Sequence, residues 1–174
     1  MLDIKVACIA IEGIAHNIVN AFKNYTEEYP EDLAQWYIEI NMEVSFNTAK
    51  MISLVTSTES YMGGAHPNSW MNFECFYTTN GEKIRLEDII TDIEKLTELA
   101  EATFRETTEL SPEDDLSEAG FDFKNNTFQL SDNYGFTPDG LVFYYNTYEI
   151  APYVYGPIEI TLLYEELGEL LNIK

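Results

Sequence analysis

Trp36-Tyr37-Ile38-Glu39-Ile40-Asn41-Met42-Glu43-Val44-Ser45-Phe46 is the run on which the fold turns. Every second residue, from Trp36 to Phe46, is apolar, and Tyr37, Glu39, Asn41, Glu43 and Ser45 interleave with them. Period two with one wet face is the mark of a half-buried antiparallel strand. The spacing predicts that Trp36, Ile38, Ile40, Met42, Val44 and Phe46 face one core. After a short Asn47-Thr48-Ala49 turn, 50–61 reads as a second strand able to pair as a hairpin.

On the N-terminal side, Ile14, Ala15, Ile18, Val19, Phe22 and Tyr25 recur at helical spacing, which predicts an amphipathic helix over 12–28. Tyr29-Pro30 ends it, because the residue before proline avoids the helical region. The stretch 1–11 reads as a strand or as a trimmed edge.

On the C-terminal side, 70–78 reads as a third strand. Asn80-Gly81 is a strong turn signal, and 83–85 would return as a short strand. A long helix is expected over 86–109, with Ile89, Ile93, Leu96, Ala100 and Phe104 on its buried stripe. An acidic loop, 111–120, leads to strands near 126–131, 140–148 and 157–164 and a closing helix over 164–172. Strands and helices do not alternate regularly. The expected class is therefore α+β, a mostly antiparallel sheet with one long and two shorter helices packed on it. Two associated subdomains are expected, a helix-plus-hairpin unit at 1–62 and an α+β unit at 63–174.

Composition narrows the function. The 174 residues carry 31 acids against 9 bases, a net charge of −22. From Glu106 onward there are fourteen acids and two bases, Lys124 and Lys174. Nucleic acid and anionic lipid are excluded as expected partners, since phosphate contacts need a basic patch. Such a surface either keeps the protein soluble or attracts a basic protein or divalent cations. Twelve Tyr and ten Phe favour strands. No apolar window reaches the roughly 18 residues of a membrane span. Cys8 and Cys75 make no disulfide framework. Cys75 alternates with Phe73 and Tyr77 and reads as a buried strand thiol. Cys8 follows too short and too charged a stretch for a lipid-modified site, and reads as unmodified.

Three places could carry chemistry. Gly63-Gly64-Ala65-His66 pairs two glycines able to take positive φ with a histidine. His66 reads as a hydrogen-bonding tack, with partner contact and catalysis as the other readings; no nucleophile or second histidine is placed near it. The second is Phe143-Tyr144-Tyr145, then Tyr148, Tyr153 and Tyr155. These rings are either core under a second layer or, in part, an exposed recognition surface. Pro152 and Pro157 block regular ladder pairing, so Tyr148, Glu149, Pro152, Tyr153 and Tyr155 are expected on a protruding binding loop. The third is oxygen-rich: Glu113-Asp114-Asp115, and Asp132-Asn133 with Asp139-Gly140. Neither segment has the alternation of a calcium loop. Metal spacings, P-loops and dinucleotide fingerprints do not occur. No catalytic residue, metal or cofactor is expected.

The blocks Ser60-Tyr61-Met62-Gly63-Gly64-Ala65-His66-Pro67-Asn68 and Gly140-Leu141-Val142-Phe143-Tyr144-Tyr145, then Tyr148-Glu149-Ile150-Ala151-Pro152-Tyr153, carry a further indication. Together they resemble the extracytoplasmic domain shared by RsiV-type anti-sigma factors, which sense lysozyme, and PdaC-type peptidoglycan deacetylases, where it is non-catalytic. The resemblance runs from about Ile14 to Leu171. It implies an extracytoplasmic place, in the periplasm or at the cell surface, with lipid anchoring of a longer chain as one option. It also implies a binding or sensor module for a basic, lysozyme-like protein or a cell-wall glycan. The competing reading is a small hydrolase of envelope polysaccharide using Glu149 and His66.

Overall fold

The computed structural model describes residues 4–31 and 34–173; of 4–12 and 14 it describes the backbone alone. Two compact units are formed, one of 1–39 with 59–68 and one of 40–58 with 69–174. Among the described residues, six strands form two three-stranded sheets, ordered β1-β2-β3 and β4-β5-β6. The strands are β1 Tyr37–Asn47, β2 Met51–Tyr61, β3 Asn68–Tyr77, β4 Tyr134–Phe136, β5 Gly140–Tyr145 and β6 Ile158–Leu163. The helices are α1 Ile4–Glu28, α2 Leu86–Ile89, α3 Ile93–Thr107 and α4 Tyr164–Leu167. The class is α+β.

In the first unit, Phe22 and Tyr25 of α1 pack on Trp36, ring centroids 5.6 and 5.1 Å apart. Helix α1 begins at Ile4, so the strand expected over 1–11 is corrected to helix wherever it is described. Ala7 and Ala10, the best helix formers, fall in this added part. The Cys8 side chain lies outside the described residues.

The second unit holds the main core. Strand β6 alternates, with Ile158, Ile160 and Leu162 buried. It pairs antiparallel with β5, Phe143 opposite Ile160. On β5 Leu141, Val142, Phe143 and Tyr145 are all buried, so both of its faces are covered. Phe104 of α3 sits at the centre of an aromatic cluster. Its ring meets Phe121 at 5.0 Å, Phe123 at 5.5 Å and Tyr145 at 6.1 Å, all edge-on, an arrangement that ring quadrupoles favour. On the opposite face Phe73 of β3 stacks beside Tyr144 at 6.2 Å. It also lies so close over Gly135 that any Cβ there would overlap its ring.

Side chains stitch the two sheets together. The Met71 N–H donates to Asn146 Oδ1 (2.7 Å), and the Met71 carbonyl accepts from Asn146 Nδ2 (2.9 Å) and Asn133 Nδ2 (2.8 Å). The Phe73 N–H donates to Asn133 Oδ1 at 2.7 Å. Two asparagine amides thus stand where a neighbouring strand's peptides would, and satisfy backbone groups that would otherwise be costly to leave unmade. Deeper in, the fully buried Ser53 hydroxyl accepts from the Phe136 N–H at 3.0 Å. The buried Cys75 Sγ lies 3.5 Å from the same oxygen.

Four further sequence expectations are corrected. Ile40, Met42 and Val44 are 54%, 62% and 56% exposed, and Ile38 is exposed too. Only the two ends of the row are covered, Trp36 by Phe22 and Tyr25, and Phe46 by Phe136 and Tyr164. The buried residues of β2 and β3 are instead Met51, Ser53, Phe73 and Cys75. The helix expected over 86–109 breaks at 90–92. There Ile90 bridges Leu171, the Thr91 N–H donates to the Leu170 carbonyl, and the Asp92 side chain caps α3 by accepting from the Lys95 N–H at 3.0 Å. The strand expected near 126–131 is not formed; Asn125 and Asn126 take left-handed φ of 58° and 53° and turn the chain. Gly168, at φ 45°, ends α4 early.

Candidate functional site

The loop that follows β5 is built by its own backbone. Tyr148 holds φ 70°, a region that bulky residues rarely enter. The Glu149 N–H donates to the Asn146 carbonyl, and Glu149 Oε2 accepts from the Asn146 N–H at 2.8 Å. Glu149 Oε1 lies 3.5 Å from the Ser131 hydroxyl. Ile150 is buried, and its carbonyl accepts from the Asp122 N–H at 2.7 Å. Beyond Pro152, residues 153–155 make one turn of 3₁₀ helix.

This geometry divides the expected binding residues. Tyr155 is partly committed: its hydroxyl donates to the Ala119 carbonyl at 2.9 Å and its ring lies 5.2 Å from Phe121. Tyr148 and Tyr153 are exposed and lie together, centroids 5.5 Å apart. Between them and Tyr155, Val154 is 86% exposed. An open cleft of about 420 Å³ runs beside the loop, lined by Phe121, Asp122, Tyr148, Glu149, Ala151 and Pro152 among others. Of the remaining rings of the run, Phe143 and Tyr145 are core and Tyr144 is half-buried. Burial pushes the Tyr145 phenol up, and its hydroxyl donates to the Gln129 carbonyl.

The glycine–histidine loop belongs to the first unit. Gly63 and Gly64 hold φ of 85° and 103°, which a side chain would strain. The Gly64 carbonyl accepts from the Tyr61 hydroxyl at 3.0 Å. His66 Nδ1 donates to the Pro67 carbonyl at 2.8 Å.

The acidic loop is pinned from beneath. Arg105 pairs with Glu101 at 2.8 Å and donates to the Ser111 and Asp114 carbonyls. Asp115 accepts from the Glu118 N–H and the Asn126 amide, and these bonds hold its carboxyl below the usual range. Among the described residues no group of three or more His, Cys, Asp or Glu side chains is placed to hold a metal ion. No described helix is long and apolar enough to cross a membrane.

One cleft was missed in the sequence. Trp70, Asn72, Asp132, Asn133, Asn146 and Glu149 line an opening of about 360 Å³. Trp70 and Asn72, two residues apart on β3, share one face. A tryptophan and an asparagine on the same strand face, where a core strand would carry two apolar residues, were the available signal.

Comparison with known proteins gives the chain its relatives. Residues 87–165 match the family model described as a protein of unknown function (DUF3298), and 9–69 match that of deacetylase PdaC. A crystal structure of a DUF3298 family member from Bacteroides fragilis NCTC 9343 superposes with TM-score 0.72 at 24% identity, covering 99% of this chain and 70% of that one. A DUF3298 family protein from Pseudomonas aeruginosa PAO1 gives 0.61 at 20% identity, covering 85% and 68%. No curated protein matches. The PdaC match thus lies in the N-terminal part of the chain and the DUF3298 match in the C-terminal part.

Proposed function

We propose that this chain, a DUF3298/PdaC-like domain by both of its family matches, is a non-catalytic extracytoplasmic binding module of the bacterial envelope. Its partner is a basic, lysozyme-like protein, held at the loop around Tyr148, Glu149, Pro152, Tyr153 and Tyr155. The observation that carries the reading is the joint exposure of Tyr148, Tyr153 and Val154 on a loop that its own hydrogen bonds hold fixed. A rigid aromatic patch costs little ordering on binding, and such anchors carry most interface energy. The charge of −22 supplies long-range attraction for a cationic partner.

The hydrolase reading has less support. Glu149 uses its carboxylate to fold the loop, and His66 Nδ1 donates to a neighbouring carbonyl. No specific observation favours either as an acid or base.

The test is the association of the purified chain with hen lysozyme, followed by surface plasmon resonance at low and high salt. Tyr153→Ala and Val154→Asp should speed dissociation at least about tenfold with association nearly unchanged. Glu113→Gln with Glu118→Gln should slow association, and salt should do the same as the Debye length falls from about 10 Å at 0.1 M to about 3 Å at 1 M. No binding at low salt, or binding indifferent to the loop variants, overturns the proposal. Capture of a peptidoglycan fragment at this loop in place of lysozyme overturns the choice of partner.

A further inference from the structure

The second cleft, formed by β3 with the segments around Asp132 and Asn146, is built differently from the Tyr148–Tyr155 loop. Three of its six lining residues are already committed. Asn133 and Asn146 each use both amide atoms on the Met71 and Phe73 backbone, and Glu149 accepts from the Asn146 N–H. Asn146 is itself buried. These groups form a fixed polar base. Trp70, Asn72 and Asp132 are exposed around it. Among the described residues, the Trp70 indole N–H, the Asn72 amide and the Asp132 carboxylate have no protein partner. The volume, about 360 Å³, falls within the roughly 300–1,000 Å³ of small-molecule sites.

We propose that this cleft is a saccharide-binding site that takes one pyranose of a neutral oligosaccharide. An indole face offers a flat apolar surface to the C–H face of a sugar ring while its N–H stays available to a hydroxyl. A carboxylate and a side-chain amide on the rim accept from and donate to neighbouring hydroxyls, which are both donors and acceptors. The committed base keeps the cleft's shape without the ligand, so little ordering is lost on binding. Charge selects among sugars: Asp132, Glu149 and a net of −22 disfavour uronates and phosphorylated glycans. A cationic side chain fits less well. Asp132 is the one uncommitted carboxylate of a lining that also holds three amides. The site shares Glu149 with the cleft beside the Tyr148–Tyr155 loop, but Tyr153 and Val154 are not among its lining residues, so a variant at Tyr153 tests the two proposals apart.

The experiment titrates the intact chain with cellotetraose, maltotetraose, N-acetylglucosamine tetramer, tetragalacturonate and arginine amide. Calorimetry is read alongside the two tryptophan indole N–H resonances. At least one neutral tetrasaccharide should bind and shift the Trp70 resonance, leaving that of Trp36 in place. Trp70→Ala and Asp132→Ala should each weaken binding at least tenfold. Trp70→Phe should recover part of the loss, and Tyr153→Ala should have no effect. All these side chains are exposed, so the variants should keep the parent's far-ultraviolet circular dichroism and melting temperature. Three results overturn the proposal: no neutral sugar binding at millimolar concentration, binding unchanged in the Trp70 and Asp132 variants, and tightest binding by arginine amide or tetragalacturonate.

Discussion

Ile40 and Phe104 illustrate how far a residue's type stands from its contribution. Both are large and apolar, and both sit in a periodic pattern. Ile40 is more than half exposed, whereas Phe104 is fully enclosed by Phe121, Phe123, Phe128 and Tyr145. Removing the Ile40 side chain opens no cavity, so Ile40→Ala should change stability by no more than about 0.5 kcal/mol. Phe104→Ala should cost about 3–5 kcal/mol through lost transfer energy and an unfilled void. Urea melts of the two variants check the pair; equal midpoints would refute the burial assigned here. Alternation along 36–46 told which residues share a face of β1. It could not tell whether that face is covered, because covering is decided by residues far along the chain. The loop at 148–155 was legible because Pro152, Pro157 and the tyrosines are local signals. The Trp70 cleft was not, since its partners lie sixty to seventy-five residues away.

At the scale of elements, strands with local pairing signals were read to within a few residues: β1, β2, β3, β5 and β6 fall where expected. Elements whose ends are set by distant contacts were misread. The periodicity of Ile89, Ile93, Leu96, Ala100 and Phe104 continues through the break between α2 and α3, because side-chain spacing does not register the Ile90–Leu171 bridge. The local trace of that break is Asp92, a good cap in the middle of an apparent helix. Asp92→Ala should therefore lower stability by about 1 kcal/mol, as loss of an N-cap does. In one uninterrupted helix, Ala at that position would be neutral or stabilising. Thermal denaturation distinguishes the two. Near 126–131 a strand is expected, but left-handed Asn125 and Asn126 redirect the backbone first.

The whole molecule has an alkaline limit set by its buried phenols. Burial, the largest cause in each case, pushes Tyr134 and Tyr164 up to about 12 and Tyr145 higher still. Their folded pKa values exceed the ordinary value of 10, so the fold favours the neutral phenol. That contribution is fully present below pH 10 and is lost as pH rises through 12. Absorbance titration at 295 nm should show exposed tyrosines ionising near pH 10. A second group should remain silent until about pH 12 and then ionise together with loss of far-ultraviolet circular dichroism. A single step near pH 10 without unfolding would contradict the burial of these rings. Cys75 gives the same molecule a clock. Its thiol is buried against Ser53 between the two sheets, and burial raises its pKa, so neither access nor thiolate is available in the closed state. With Cys8 replaced by serine, the rate at which an aromatic disulfide reagent labels Cys75 becomes a direct reading of how often β2 and β3 part from β4. That rate should rise with urea well before the aromatic cluster around Phe104 melts if the sheets separate by local opening. It should follow global unfolding alone if they do not.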